Sequence, residues 1–250
     1  MISWATLAEL RNILTIKWKN SFANHLTQLN MEKSIVSKFG KFIGIEGTFA
    51  SWFVAIGILT QLLTCYIMGD TTLALCSGIA GVISVVLCSQ KKYAFYFWGI
   101  LQLITILIIS INSGLYGKVI ENGFYLITLF VGMREWSKNK VDNAVKVRTM
   151  DIKDYIIFGL AIIPFSTVIA YYIVSTYNTG QIALDIITTV IGIVAQILMI
   201  LRFKEQWVLW FILDVLCIVL WAKDGNWCLT AQYIFWTINT VYGYTIWKKS

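Results

Sequence analysis

The sequence predicts an all-α membrane protein with eight transmembrane helices. A parallel-repeat core of three spans, one linking span and three further spans (3+1+3) is preceded by one extra N-terminal span. Three observations carry this reading: the apolar composition, the sorting of basic residues between successive connections, and a match of the chain with itself.

Of 250 residues, 58% are hydrophobic and 13% charged, with a single proline; an average soluble domain is roughly 45–50% apolar and 25% charged. The mean hydropathy is +0.72. A bilayer core about 30 Å thick requires roughly 20 apolar helical residues. Eight segments meet or nearly meet that length: 47–68, 72–89, 93–111, 115–135, 153–174, 181–201, 205–222 and 226–247. Their apolar character is continuous, whereas barrel strands alternate over about ten positions, so helices are expected.

Residues 1–46 are expected to form a cytoplasmic N-terminal segment ahead of a transmembrane domain at 47–250. A long polar leader with no small-residue cleavage site is unlike a secretory signal, so the first span is expected to stay in the mature protein. Within the leader, Trp4, Leu7, Leu10, Ile13, Leu14 and Trp18 recur at helical spacing beside Arg11, Lys17 and Lys19. Such a basic amphipathic helix lies on a membrane surface or packs against the body of the protein.

The connections sort by charge. Lys33, Lys38 and Lys41; Lys91 and Lys92; Arg134, Lys138, Lys140, Lys146 and Arg148; Arg202 and Lys204; and Lys248 and Lys249 fall on one side. The other side holds Asp70, Asn112-Ser113-Gly114, Tyr177-Asn178-Thr179-Gly180 and Lys223-Asp224-Gly225. The positive-inside rule therefore expects both termini in the cytoplasm. The net charge of +7 is divided among these short connections, which fits membrane lipids of anionic headgroup as partners and no nucleic acid.

An ungapped offset of 111 residues aligns Gly69 with Gly180, Gly81 with Gly192, Lys91 with Arg202, Gly114 with Gly225, Tyr116 with Trp227, Gly132 with Gly243 and Trp136 with Trp247. Repeat one spans 69–138 and repeat two 180–249, joined by a linker helix at 153–174. Both copies start outside and end in the cytoplasm, so they are parallel, related by an axis along the membrane normal. Parallel repeats of this kind flank a central substrate site in several transporters.

Polar side chains in lipid are costly and tend to face a cavity or a partner. Trp98, Gln102 and Thr105 share one face of the third span; Trp207, Trp210 and Asp214 share a face of the seventh; Gln232, Trp236, Asn239 and Tyr242 share a face of the eighth. Gln196 lies mid-span in the sixth. Trp98, Trp136, Trp207 and Trp247 also suit an interfacial aromatic belt, and amides can pair between helices. Three helices that each combine tryptophan with an amide or carboxylate suit a flat ring bearing hydroxyls. A cationic ring would gain about 0.5–2 kcal/mol per aromatic face, and amides serve carboxamide or hydroxyl groups in both senses. Asp214 balances a cationic ligand, is protonated, or pairs internally. The decoration is asymmetric, because Gln102 aligns with Leu213, Trp98 with Leu209, Asn239 with Thr128 and Asp214 with Leu103. Glu121 and Asp185, near outer helix ends, are read as interfacial or paired with a neighbour. So few acidic groups favour facilitated diffusion over ion coupling.

No cofactor or metal is expected. Cys65, Cys76, Cys88, Cys217 and Cys228 have no ligand spacing and read as small apolar residues. His25 is the single histidine and sits in the polar leader. No P-loop, HExxH or Ser-His-Asp set can be assembled at membrane depth, so the chain is not expected to be an enzyme.

From about Asp70 onward the chain resembles the PnuC family of bacterial nicotinamide riboside transporters. The resemblance rests on Phe97-Trp98-Gly99-Ile100-Leu101-Gln102, Ser113-Gly114-Leu115-Tyr116-Gly117, Glu205-Gln206-Trp207-Val208-Leu209-Trp210, Lys223-Asp224-Gly225, and the closing Asn239, Tyr242, Gly243 and Trp247. It implies a SWEET-like 3+1+3 homotrimer in the bacterial inner membrane. Facilitated uptake of intact riboside would be followed by trapping by a separate kinase. It also implies a site near the membrane centre, carried onto Trp98, Gln102, Trp207, Trp210, Asn239 and Tyr242, with Thr105, Gln196, Asp214 and Gln232 as additions. The first span departs from a seven-span core and has no implied role. Alternatives are a carrier of thiamine, riboflavin or a sugar, and a binding subunit working with an ATP-driven partner.

Overall fold

The computed structural model describes Lys17 and residues 28–69, 71–112, 116–141, 144–176, 182–223 and 227–249. The sequence readings at residues 4–14, Trp18, His25, Asp70, Ser113–Leu115, Tyr177–Gly180 and Asp224–Gly225 fall outside the described residues, as do the side chains of Glu121, Asp185 and Cys228. The chain forms two compact units, residues 1–55 and 56–250.

In the first unit, residues 28–42 are helical (α1). A turn follows in which the Ile45 amide donates to the Gly40 carbonyl at 2.8 Å. Ser51 then donates both its amide (3.1 Å) and its hydroxyl (2.9 Å) to the Gly47 carbonyl, opening the next helix.

That helix, α2 (Thr48–Met68), is followed by α3 (Thr72–Ser89), α4 (Phe95–Asn112), α5 (Tyr116–Lys138), the short strands β1 (Lys140–Val141) and β2 (Ala144–Val145), α6 (Ile152–Thr176), α7 (Ile182–Ile200), α8 (Gln206–Lys223) and α9 (Trp227–Lys248). Each of the eight apolar segments thus overlaps a helix, with bounds that agree to within a few residues. The starts have local causes. Thr71 caps α3 by accepting from the Ala74 amide at 3.2 Å. Asp151 Oδ1 accepts from the Lys153 and Asp154 amides, and Asp154 Oδ2 accepts from the Asp151 amide, a capping box that opens α6.

Exposure is inverted relative to a water-soluble fold. α4 exposes Phe97, Leu101, Ile104 and Ile108, α8 exposes Val208, Phe211, Ile212, Val215 and Val219, and α9 exposes Ile234, Ile238 and Val241. α8 buries Gln206 and Asp214 and α9 buries Asn239 and Thr240 on their opposite faces, and Thr105 and Thr230 are buried as well. Apolar outside and polar inside is the arrangement that lipid favours. Among the described helices, α2 and α3 are by themselves long and apolar enough to cross a membrane.

Within the second unit, helix contacts run from α3 to α4, α5, α7, α8, α9 and back to α3, closing a ring of six, with α6 packed on α7. Two tryptophans close one end. The Trp136 indole on α5 donates to the Met199 carbonyl of α7 at 3.1 Å. The Trp247 indole on α9 donates to the Ser89 and Cys88 carbonyls of α3 at 3.1 and 3.3 Å. Their ring centroids are 5.8 Å apart, with Phe95 and Tyr96 on one flank and Trp207 on the other. The interfacial-belt reading of Trp136 and Trp247 is therefore corrected: both are 0% exposed, because each N–H serves carbonyls at a neighbouring helix terminus, beyond its regular bonding ladder. Trp207, also buried, is no belt residue either.

Those same termini end alike. Lys91 and Arg202 adopt positive φ (60° and 66°). Their amides donate to Cys88 and Met199, and the amides of Lys92 and Phe203 to Leu87 and Leu198, the Schellman pattern normally completed by glycine. The connection after α5 explains how two non-glycine residues are held there. The Val145 amide donates to the Lys91 carbonyl at 3.1 Å and the Arg148 amide to the Arg202 carbonyl at 2.8 Å; the Lys204 amide donates in turn to the Arg148 carbonyl. The Arg148 guanidinium lies over the Phe203 ring at 4.3 Å. The sequence read this stretch only as a basic connection, and the pairing that orders it is a backbone property without a sequence signature.

Arg202 has a second anchor. Its guanidinium donates to Glu135 Oε1 at 2.7 Å and to the Lys146 carbonyl at 3.0 Å. Lys91 sits differently: burial, and then the neighbouring Lys92 charge, hold its ammonium below the ordinary lysine range. Glycine at such a turn would relieve about 1 kcal/mol of backbone strain. Arg202→Gly should nevertheless lower the thermal midpoint of the purified protein, because that relief is outweighed by leaving Glu135 and the Lys146 carbonyl without their donor.

Candidate functional site

The inner faces of α4, α8 and α9 carry most of the polar residues singled out from the sequence. On α8, Gln206, Trp207, Leu213, Asp214 and Cys217 are buried and Trp210 is half-buried, all on the side opposite Val208, Phe211, Ile212 and Val215. Glycine sets how closely α8 and α9 approach: a Cβ on Gly243 would lie 2.7 Å from the six-membered ring of Trp207. The position matched to it at the 111-residue offset behaves alike, since a Cβ on Gly132 would lie 2.6 Å from the Tyr96 hydroxyl.

α9 directs its polar groups to α3. Asn239 Nδ2 donates to the Val85 carbonyl at 3.2 Å, and the Ser89 hydroxyl donates to Asn239 Oδ1 at 3.3 Å. Gln90 Nε2 donates to the Tyr242 hydroxyl at 3.1 Å. Between α7 and α5, Gln196 Nε2 donates to the Thr128 hydroxyl at 3.3 Å. On α4, the Thr105 hydroxyl bonds the Leu101 and Gln102 carbonyls of its own helix. The Gln102 amide lies against Gly81 of α3, within 2.8 Å of where a Cβ would stand. Trp98, half-buried, meets Phe97 edge to face.

α8 differs. Asp214, 2% exposed, has Oδ2 without a hydrogen-bond partner among the described residues. Both amide atoms of Gln206, the Trp207 indole N–H and Glu205 Oε2 are in the same condition. Each such buried polar atom costs about 1–3 kcal/mol unless a ligand or water satisfies it. The arrangement can therefore supply aromatic faces, the carboxyl groups of Asp214 and Glu205, and amide groups to a bound molecule. Cationic side chains are absent from the residues of this set.

Gln232 stands apart from the others. Together with Trp236 it faces α2 and α3 in a cavity that also includes Gln61. Sequence reasoning missed Gln61, Ser89, Gln90 and Gln206. Ser89 and Gln90 read as helix-end residues and Gln206 as a helix start. Gln61 stood in the unassigned first span, although a glutamine in so apolar a run was itself a signal. Among the described residues no group of three or more His, Cys, Asp or Glu side chains could hold a metal. Cys65, Cys76, Cys88 and Cys217 are free thiols.

An apolar exterior around a polar-lined helical ring defines an all-α membrane protein of the transporter class, and comparison with known proteins agrees. A family model described as nicotinamide mononucleotide transporter matches residues 71–249, and the chain belongs to that family. The nicotinamide riboside transporter PnuC of Haemophilus influenzae is 30% identical over 201 residues, covering 78% of this chain and 88% of that protein. PnuC of Neisseria mucosa is 31% identical over 195 residues, covering 72% and 73%. A crystal structure of the vitamin B3 transporter PnuC superposes with a TM-score of 0.69 at 27% identity, covering 82% of this chain and 93% of that one.

The glycine contact makes a test of the packing around α8. Gly243→Ala should cost about 1–3 kcal/mol by overpacking against Trp207, read as a lower thermal midpoint. Gly123→Ala, where a Cβ meets nothing within 4 Å, should leave the midpoint unchanged or raise it slightly.

Proposed function

We propose that this protein carries nicotinamide riboside into the bacterial cytoplasm by facilitated diffusion through the inner membrane, with kinase trapping on the inside. The observation that carries the reading is the inner face of α8, where Trp207, Trp210 and Asp214 lie together with buried polar atoms lacking protein partners among the described residues. A nicotinamide ring is flat and cationic, so it gains from tryptophan faces and from one carboxylate. Its carboxamide and ribose hydroxyls match amide donors and acceptors. The substrate site we assign comprises Trp98, Gln102, Thr105, Gln196, Trp207, Trp210, Asp214, Gln232, Asn239 and Tyr242.

The family description mentions a mononucleotide and the relatives' names a riboside, and electrostatics favours the riboside. A phosphate dianion calls for arginine or lysine. The proposed wall contains no arginine or lysine among its described residues, and Arg202 is engaged by Glu135 and the Lys146 carbonyl.

The reading includes eight spans with cytoplasmic termini, a duplicated 3+1+3 core and a homotrimer. Duplication is supported by residues 111 apart in equivalent positions: Lys91 and Arg202 in left-handed turns, Trp136 and Trp247 donating to Met199 and Cys88, and Gly132 and Gly243 beneath Tyr96 and Trp207. The contacts of α3 with α9 and of α7 with α5 are related by the same offset.

Full-length protein in liposomes should equilibrate labelled nicotinamide riboside without ATP or an ion gradient. Accumulation that requires a proton or sodium gradient would reject the uncoupled mechanism. Trp210→Ala should weaken riboside binding about tenfold, the loss of one aromatic face, and Asp214→Asn should weaken it for the cationic riboside but not for its neutral, reduced form. Equal affinity for both ligands in both variants would remove α8 from the site.

A further inference from the structure

The second half of α2 carries polar residues where a helix surrounded by lipid would carry leucine. Gly57, Thr60, Gln61 and Thr64 recur at i, i+3, i+4 and i+7, one stripe of the helix. Its other side exposes Ile56, Leu59, Leu63 and Tyr66. With Val82 of α3 and Gln232, Phe235 and Trp236 of α9, the stripe encloses a cavity of about 40 Å³. Glycine brings the helices together here as well, since a Cβ on Gly57 would lie 2.7 Å from the Phe235 ring.

The hydrogen-bonding groups around this space are not equivalent. Thr60 donates to the Ile56 carbonyl at 2.9 Å and Thr64 to the Thr60 carbonyl at 2.8 Å, so both hydroxyl protons are used within α2. The Gln61 amide lies against Gly78 of α3, whose lack of a side chain leaves it room. Gln61 thus packs on α3 and lines the cavity with residues of α3 and α9. Across the cavity stand the Gln232 amide and the ring of Trp236, whose indole N–H is buried without an acceptor among the described residues. None of the lining residues is charged.

Two primary amides and an indole offer both donors and acceptors but no net charge, which suits a carboxamide or a pair of hydroxyls. The volume has the same implication. On this measure a single water needs roughly 10–15 Å³, so the cavity has room for a small polar group. Gln232 and Trp236 share their face of α9 with Asn239 and Gly243, the residues that meet α3 and Trp207 of α8.

We infer that Gln61 and Gln232 form a subsite holding the neutral polar end of the ligand, its carboxamide or ribose hydroxyls, so that α2 is part of the binding apparatus. This rests on the riboside-transport reading. The helix that stands outside the 3+1+3 core thereby acquires a role, since its amide completes a wall that α3 and α9 leave open.

The test is calorimetric titration of nicotinamide riboside into the full-length protein, its Gln61→Leu, Gln61→Met and Gln232→Leu variants, and the Gln61→Leu/Gln232→Leu pair. Each single change should weaken binding about tenfold. The pair should lose clearly less than the hundredfold of independent sites, since both amides hold one group. The ligand-free thermal midpoints of the single variants should not fall, because leucine or methionine removes an amide from apolar surroundings. Wild-type binding with Gln61→Leu and Gln61→Met both within twofold of it would overturn the subsite and leave the transport reading standing. Affinity losses matched by equal drops in the ligand-free midpoint would reduce Gln61 to a packing residue. Failure of the wild-type protein to bind the riboside would remove both readings.

Discussion

The bonds from the Trp136 and Trp247 indoles to Met199, Cys88 and Ser89 are the constraint on which the rest of the second unit depends. Lipid supplies no hydrophobic drive for one helix to prefer another, so association rests on close packing and hydrogen bonds. Each indole donates to carbonyls at the C-terminal end of a neighbouring helix, beyond its regular bonding ladder. One bond joins α5 to α7 and the other α9 to α3, and contact between the two rings links the pairs. The left-handed turns at Lys91 and Arg202, and the backbone bonds from Val145 and Arg148 that hold them, follow directly after these anchored termini.

Such an end allows an unequal use of polar groups in the remaining helices. α9 commits Asn239 and Tyr242 to α3, and α7 commits Gln196 to α5. α8 commits little, keeping Gln206, the Trp207 indole and Asp214 Oδ2 buried without partners among the described residues. Bonds between helices make a frame, and buried polar atoms held inside a frame are what a ligand can use. Aromatic faces beside them add attraction for a flat cationic ring without adding a second charge.

Much of this was legible in the sequence because lipid imposes a simple rule. A residue facing hydrocarbon must be apolar, so helix positions and inner faces could both be read from spacing. The inner placement of Thr105, Gln196, Asp214 and Asn239 follows from that rule. Trp136 and Trp247 were harder, because an indole near a helix end suits the membrane interface as well as the interior. Only the position of the Met199 and Cys88 carbonyls separates the two. Gln61 was passed over for a different reason, namely that its partners come from α3 and α9, far away in the chain.

Composition and local periodicity were enough to establish the class of protein, the helices and the faces they turn inward, and short motifs were enough to establish the family. Which inward groups bond neighbouring helices, and which have no protein partner among the described residues, emerged only from the packed fold. Packing tied Asn239 and Tyr242 to α3, left Asp214 Oδ2 without a partner among the described residues and set Gln232 and Gln61 around one cavity. The physical reason is that a hydrogen bond requires two groups within about 3 Å, and spacing along one chain specifies only one of them.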